Sequence, residues 1–98
     1  MTIWKNCRAD IYYTNDQPEL NDPGYEVRIT GDEIVISYEG NTGWVNYTGH
    51  DRGDGHFELT SPEVKGRAVL HRIPEGDILE GNWSEEGERG MWRVHLID

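Results

Sequence analysis

The chain has 98 residues, enough for one domain over 1–98, and with only 35% of them apolar its ten aromatic rings must supply much of the buried surface. Nineteen acidic against nine basic residues give a net charge of −10, which repels phosphates and anionic headgroups; nucleic acid and membranes are excluded as expected partners. The first ten residues lack the apolar run of a signal peptide, no stretch approaches a membrane span, and the lone Cys7 has no internal disulfide partner, so the expected compartment is the cytoplasm.

Turn residues recur about every ten positions and separate short alternating runs, the pattern of an all-β meander with no window for an amphipathic helix. In the first run Cys7, Ala9, Ile11 and Tyr13 alternate, with Ile3 and Trp4 extending it toward the terminus; Cys7 reads as a small buried hydrophobe. A long loop, Thr14 to Gly24, is expected next, because Asn-Asp-Gln-Pro and Asn-Asp-Pro-Gly combine fixed-φ prolines with turn-capping side chains. Tyr25, Val27 and Ile29 then alternate with polar neighbours. After a two-residue Gly31-Asp32 turn, Ile34, Ile36 and Tyr38 do the same, which is the clearest hairpin in the chain.

Beyond Gly40 to Gly43 the inward set is either Val45, Tyr47 and Gly49 or else Trp44, Asn46, Thr48 and His50. The first buries two strand formers and leaves Trp44 at a rim or on the outer wall, a candidate protein contact. The loop His50 to Gly55 leads to a strand with Phe57 and Leu59 inward; Ser61-Pro62-Glu63 turns into Val64 to Ile73, where Gly66, Ala68 and Leu70 face in; Pro74 to Asp77 forms the next turn.

The last hairpin repeats a Gly-x-Trp unit, Gly81-Asn-Trp83 and Gly90-Met-Trp92. Alternation puts Leu79, Gly81 and Trp83 on one face of the strand Ile78 to Ser84, and Trp92, Val94 and Leu96 on one face of Met91 to Ile97. A turn centred on Glu86-Gly87 sets Gly81 opposite Trp92 and Trp83 opposite Gly90, so that each ring covers a glycine. A four-residue loop would pair the two tryptophans instead. Both registers keep the indoles on the buried face.

The fold expected is therefore an antiparallel meander of seven or eight strands closing into a small up-and-down barrel, which removes its edges, with a β-sandwich as the alternative. In strand count, size and repeated Gly-x-Trp units the chain resembles the calycin-like barrels, the architecture of avidins and lipocalins, although in lipocalin-like proteins Gly-x-Trp lies on the first strand and here it lies on the last two. The resemblance implies a barrel whose open end holds a small apolar or aromatic ligand; no ligand set carries over from it.

Four groups of residues bear on chemistry. Tyr25, Tyr38 and Tyr47 bring hydroxyls to a lining shared with Trp83 and Trp92, a blend suited either to a small-molecule site or to a filled core. His50, Asp51, Asp54 and His56 offer divalent-metal ligand types on one loop, but Arg52 among them and ordinary turn chemistry favour a solvated hairpin loop. His71 and His95 fall on outer faces with Arg67 and Arg93 nearby, and Glu80 opposite Arg93 reads as a cross-strand ion pair. No nucleophile triad or phosphate-binding loop is present. The expectation is a non-enzymatic binding protein without cofactor, taking a small hydrophobic or aromatic ligand in one end of the barrel. Its first alternative is an acidic interaction or inhibitor domain with a filled core that docks through Trp44 onto a protein, a second copy included. The second alternative is a small barrel enzyme or metal-binding protein.

Overall fold

Short runs with one apolar face cannot bury that face alone, and here they do so by curling the meander into a ring. The computed structural model describes residues 1–14, 19–41 and 43–98. Eight strands follow in order: β1 (Thr2–Tyr13), β2 (Leu20–Thr30), β3 (Glu33–Gly40), β4 (Gly43–Asp51), β5 (His56–Ser61), β6 (Gly66–His71), β7 (Ile78–Glu85) and β8 (Glu88–His95). Each pairs antiparallel with the next, and β1 pairs with β8, so the sheet is a closed barrel and not a sandwich. A single 3₁₀ turn, Pro62–Val64, is the helical element among the described residues, and no helix is long and apolar enough to cross a membrane.

Alternation decides the interior as expected. Val27, Ile34, Ile36, Val45, Tyr47, Phe57, Leu59, Ala68, Leu70, Leu79 and Val94 are buried together, and Cys7 and Ala9 join them from β1. On β4 the first of the two inward sets is the one adopted, and Trp44 stands 60% exposed on the outer wall. Three boundaries differ from the sequence reading. Leu20 to Pro23 belong to β2 and pair with Ile11 to Arg8, because backbone hydrogen bonding to a neighbouring strand overrides the turn preference of Asn-Asp-Pro-Gly. The Asn-Asp-Gln-Pro stretch lies outside the described residues. Val64 ends the 3₁₀ turn, and β6 runs only from Gly66 to His71. Near the N-terminus a bulge separates the pairs Trp4↔Val27 and Cys7↔Tyr25, so that three steps on β1 match two on β2 and Trp4, not Ile3, packs on the core.

The last hairpin takes the two-residue turn, with Gly81 opposite Trp92 and Trp83 opposite Gly90. Its glycines are required for a further reason. A Cβ on Gly81 would meet the Val69 carbonyl oxygen at 1.7 Å, and one on Gly90 would meet that of Tyr12 at 1.6 Å. Both glycines therefore let β7 and β8 approach the strands on their other sides closely enough for the sheet to curl shut.

Candidate functional site

An antiparallel meander puts alternate connections at the same end, and the two ends of this barrel are built from different chemistry. The end bearing the termini and the β2–β3, β4–β5 and β6–β7 connections carries Trp4 and Arg72. Trp4 packs on the core there, with the Arg72 guanidinium carbon 5.1 Å from its ring centroid. Arg72 Nε in turn donates to the Gly76 carbonyl at 2.7 Å, which anchors the cation over the indole. Leu96 N–H donates to the Asp77 carbonyl and ties the last strand to the same loop.

The opposite end carries the β1–β2, β3–β4, β5–β6 and β7–β8 connections, and aromatic rings and carboxylates converge on it. Tyr25 and Tyr38 stack with centroids 4.8 Å apart and planes at 22°. Trp92 meets Tyr25 at 6.3 Å and Tyr47 at 5.2 Å, both edge to face, and Tyr13 meets Trp83 edge to face at 5.3 Å. The five aromatic residues singled out from the sequence are thus brought to one end of the barrel, with Tyr13 added. Tyr25 and Tyr47 are buried, at 2% and 1% exposure, while Tyr38, Tyr13 and Glu85 are partly open to solvent.

The hydroxyls do not point into apolar surroundings. Tyr47 Oη donates a short hydrogen bond to Glu85 Oε1, Tyr38 Oη donates to the same oxygen at 3.4 Å, and Tyr25 Oη donates to Asp22 Oδ2 at 3.3 Å. Burial pushes all three phenols well above the ordinary tyrosine range, and the neighbouring carboxylates add to the effect, so each remains a neutral donor at physiological pH. Ser61 Oγ and the Asn46 N–H both donate to Glu63 Oε1, and the Asn46 bond, with that of Ser61 behind it, holds the Glu63 carboxyl below its usual range. A Cβ on Gly66 would lie 2.1 Å from Tyr47 Oη, so the absence of a side chain at Gly66 is what admits that hydroxyl.

The two indoles differ. Trp83 Nε1 donates to the Met91 carbonyl at 3.1 Å, whereas Trp92 Nε1, on a residue 4% exposed, has no partner. An unmade hydrogen bond of this kind costs about 1–3 kcal/mol.

Periodicity alone does not single out Glu85 or Asp22. The signal for Glu85 is present nonetheless, since it continues the inward parity of Gly81 and Trp83 by one more step; Asp22 is hidden in a stretch that reads as loop.

The remaining candidates lie elsewhere. His50 faces Asp32, with Nδ1 3.7 Å from Oδ2, and Asp51 Oδ1 accepts from the Gly53 N–H at 2.8 Å, the turn chemistry expected of that loop. His56 Nδ1 lies 2.5 Å from His71 Nε2 across β5 and β6. Among the described residues no three or more His, Cys, Asp or Glu side chains gather as a metal-binding group. Arg93 Nε pairs with Glu80 Oε2 at 2.6 Å, as the register requires. His95 Nε2 lies 2.8 Å from Asp10 Oδ2, and Asn21 Nδ2 donates to Asp10 Oδ1 at 2.8 Å; these bonds, led by that of His95, hold the Asp10 carboxyl below its usual range. An open groove of about 690 Å3 runs along the outer wall over β3 to β6, bordered by Val35, Thr48, His50, Glu58, Thr60 and Arg67.

Fold and site together define a closed eight-stranded antiparallel barrel with a Trp4–Arg72 stack at one end and tyrosines and carboxylates at the other. No protein-family model matches the chain, and no curated protein or solved structure matches it.

Proposed function

We propose that this protein is a non-enzymatic binding barrel of calycin-like architecture that seats a small aromatic or apolar molecule at its tyrosine end. The observation that carries the reading is the unpartnered Trp92 Nε1, a buried donor packed against Tyr25 and Tyr47 at the end where ring surface and hydroxyls converge. The opposite end carries the Trp4–Arg72 stack, which supports the tyrosine end as the way in. Because the rings of Tyr25, Tyr38, Tyr47 and Trp92 already touch, the ligand sits at the rim formed by the partly open Tyr13, Tyr38 and Glu85 and displaces rings modestly; it does not fill a through-going cavity. The phenols, kept neutral by burial and bound to carboxylates, offer no nucleophile at this end.

The test is an NMR titration of the uniformly ¹⁵N-labelled protein with small aromatic probes, indole and phenol among them. The Trp92 indole N–H resonance should move progressively and saturably, with smaller changes at Trp83 and none at Trp44. A Trp92 signal unmoved by every probe at solubility-limited concentration would remove the reading.

A second reading, an acidic interaction domain, is favoured by Trp44, whose ring stands 60% exposed on the same wall as the groove. It predicts that Trp44→Ala lowers self-association in sedimentation velocity without changing the melting temperature. A monomeric wild-type chain at high concentration would leave Trp44 without that role toward a second copy.

A further inference from the structure

We infer that the ligand of the tyrosine end is a small organic cation that also carries a hydrogen-bond acceptor, an amino alcohol or quaternary ammonium alcohol being the simplest class. The inference rests on the binding reading above and narrows it by an inventory of what this end offers. The protons of the three tyrosines packed deepest or stacked at this end are committed to carboxylates, Tyr38 and Tyr47 to Glu85 and Tyr25 to Asp22, while Tyr13 stands partly open at the rim. What these groups leave for a ligand is chiefly acceptor capacity, the spare lone pairs of Glu85, Asp22 and the phenol oxygens, together with aromatic surface and the Tyr13 phenol at the rim. The charges acting on these phenols are Asp22, Glu63 and Glu85, and Glu88 joins them at Tyr13. The basic residues of this end, Lys65 and Arg89, are solvent-exposed. A cation gains from the carboxylates and from the ring faces together. An anion is repelled, and a neutral molecule collects only the ring surface.

The second observation is independent of the acidic residues. Trp92 Nε1 is a buried donor without an acceptor, beside the same tyrosines. A bare cation leaves it unsatisfied; a cation with an oxygen or nitrogen acceptor a few bonds away pairs both features at once. The net charge of −10 concentrates cations around the molecule and speeds their arrival.

Calorimetric titration of the whole chain with choline, with tetramethylammonium, and with the neutral isostere in which carbon replaces the choline nitrogen tests each element. Choline should bind at least about tenfold more tightly than its neutral isostere, with affinity falling as salt is raised. Glu85→Gln, which keeps the shape and an acceptor for Tyr47, should remove most of that preference while indole binding persists. Trp92→Phe should weaken choline more than tetramethylammonium, which has no acceptor to lose. If the neutral isostere binds as tightly as choline, or if indole binds at Trp92 and no cation does, the charge assignment is overturned and the aromatic site stands. If neither indole nor any cation binds, both fall. Should Glu85→Gln not fold, the comparison of choline with its isostere in the wild-type chain still decides the question.

Discussion

Tyr47 joins packing to polarity at a single position: its ring lies in the core against Trp92, and its hydroxyl reaches Glu85 only because Gly66 has no side chain. A hydrogen bond to a charged group contributes about 1.5–3 kcal/mol net, and Tyr47→Phe should lower stability by about that amount in urea unfolding. Loss of less than about 0.5 kcal/mol would mean that Tyr38 and solvent satisfy Glu85 unaided. Cys7 shows the contrasting case of a residue whose chemistry is silenced. Burial pushes its thiol up, so it behaves as a small hydrophobe, as its place in the apolar alternation implies. That inference needed only the sequence, because parity alone places Cys7 beside Ala9. The partnership of Asp10 with His95 needed the fold, since the two residues lie at opposite ends of the chain and meet only where β8 returns to β1.

At the scale of elements, the closing hairpin was legible to within two registers, and the fold takes the two-residue turn in place of the four-residue loop. Gly-x-Trp repeated at nine residues, with Glu86-Gly87 between the strands, leaves few ways to pair β7 with β8, and positive φ at both Glu86 and Gly87 is what a two-residue turn requires. Trp83 fills the face between Tyr13 and the β6 residue Ala68, and its N–H is satisfied by Met91. Trp83→Ala should therefore cost about 3–5 kcal/mol, comparable with the whole stability of a small domain, and a cooperative thermal transition retained near the wild-type midpoint would contradict this packing. The start of β2 was not legible, because Asn21, Asp22 and Pro23 have turn chemistry and become strand only when β1 lies alongside to accept the pairing. The β1 bulge belongs to the same class: nothing local in Lys5 and Asn6 announces that the apolar parity shifts from Ile3 to Trp4.

Across the whole molecule, closure separates two ends that the sequence distributes over every strand. Aliphatic side chains and the Trp4–Arg72 stack gather at one end; tyrosines, tryptophans and carboxylates gather at the other. The tyrosine end makes the barrel sensitive to alkali. Tyr25, Tyr38 and Tyr47 have folded-state pKa values raised above the unfolded value of about 10, so their contribution is fully present below that value and is lost as pH rises beyond it. The melting temperature should fall steeply above about pH 10, with phenolate absorbance appearing together with unfolding. Phenolate formation from these three residues in a still-folded barrel would contradict their burial among carboxylates. Tyr12, partly open on the outer wall, gives a separate signal, and its hydrogen bond with Glu19 pushes its phenol up as well.

The amino-acid sequence by itself determined the all-β meander, the buried face of the closing hairpin and the acidity, because each follows from local alternation, turn residues and composition. Tertiary structure alone decided that the sheet closes, that Arg72 lies over Trp4, and that Glu85 and Asp22 take the protons of Tyr25, Tyr38 and Tyr47 while Trp92 is left without an acceptor. The physical reason is range. Alternation is set by neighbours two residues apart, whereas a hydrogen bond from Tyr47 to Glu85 spans 38 positions and exists only after the four consecutive strands β4 to β7 have curled to bring the two side chains together.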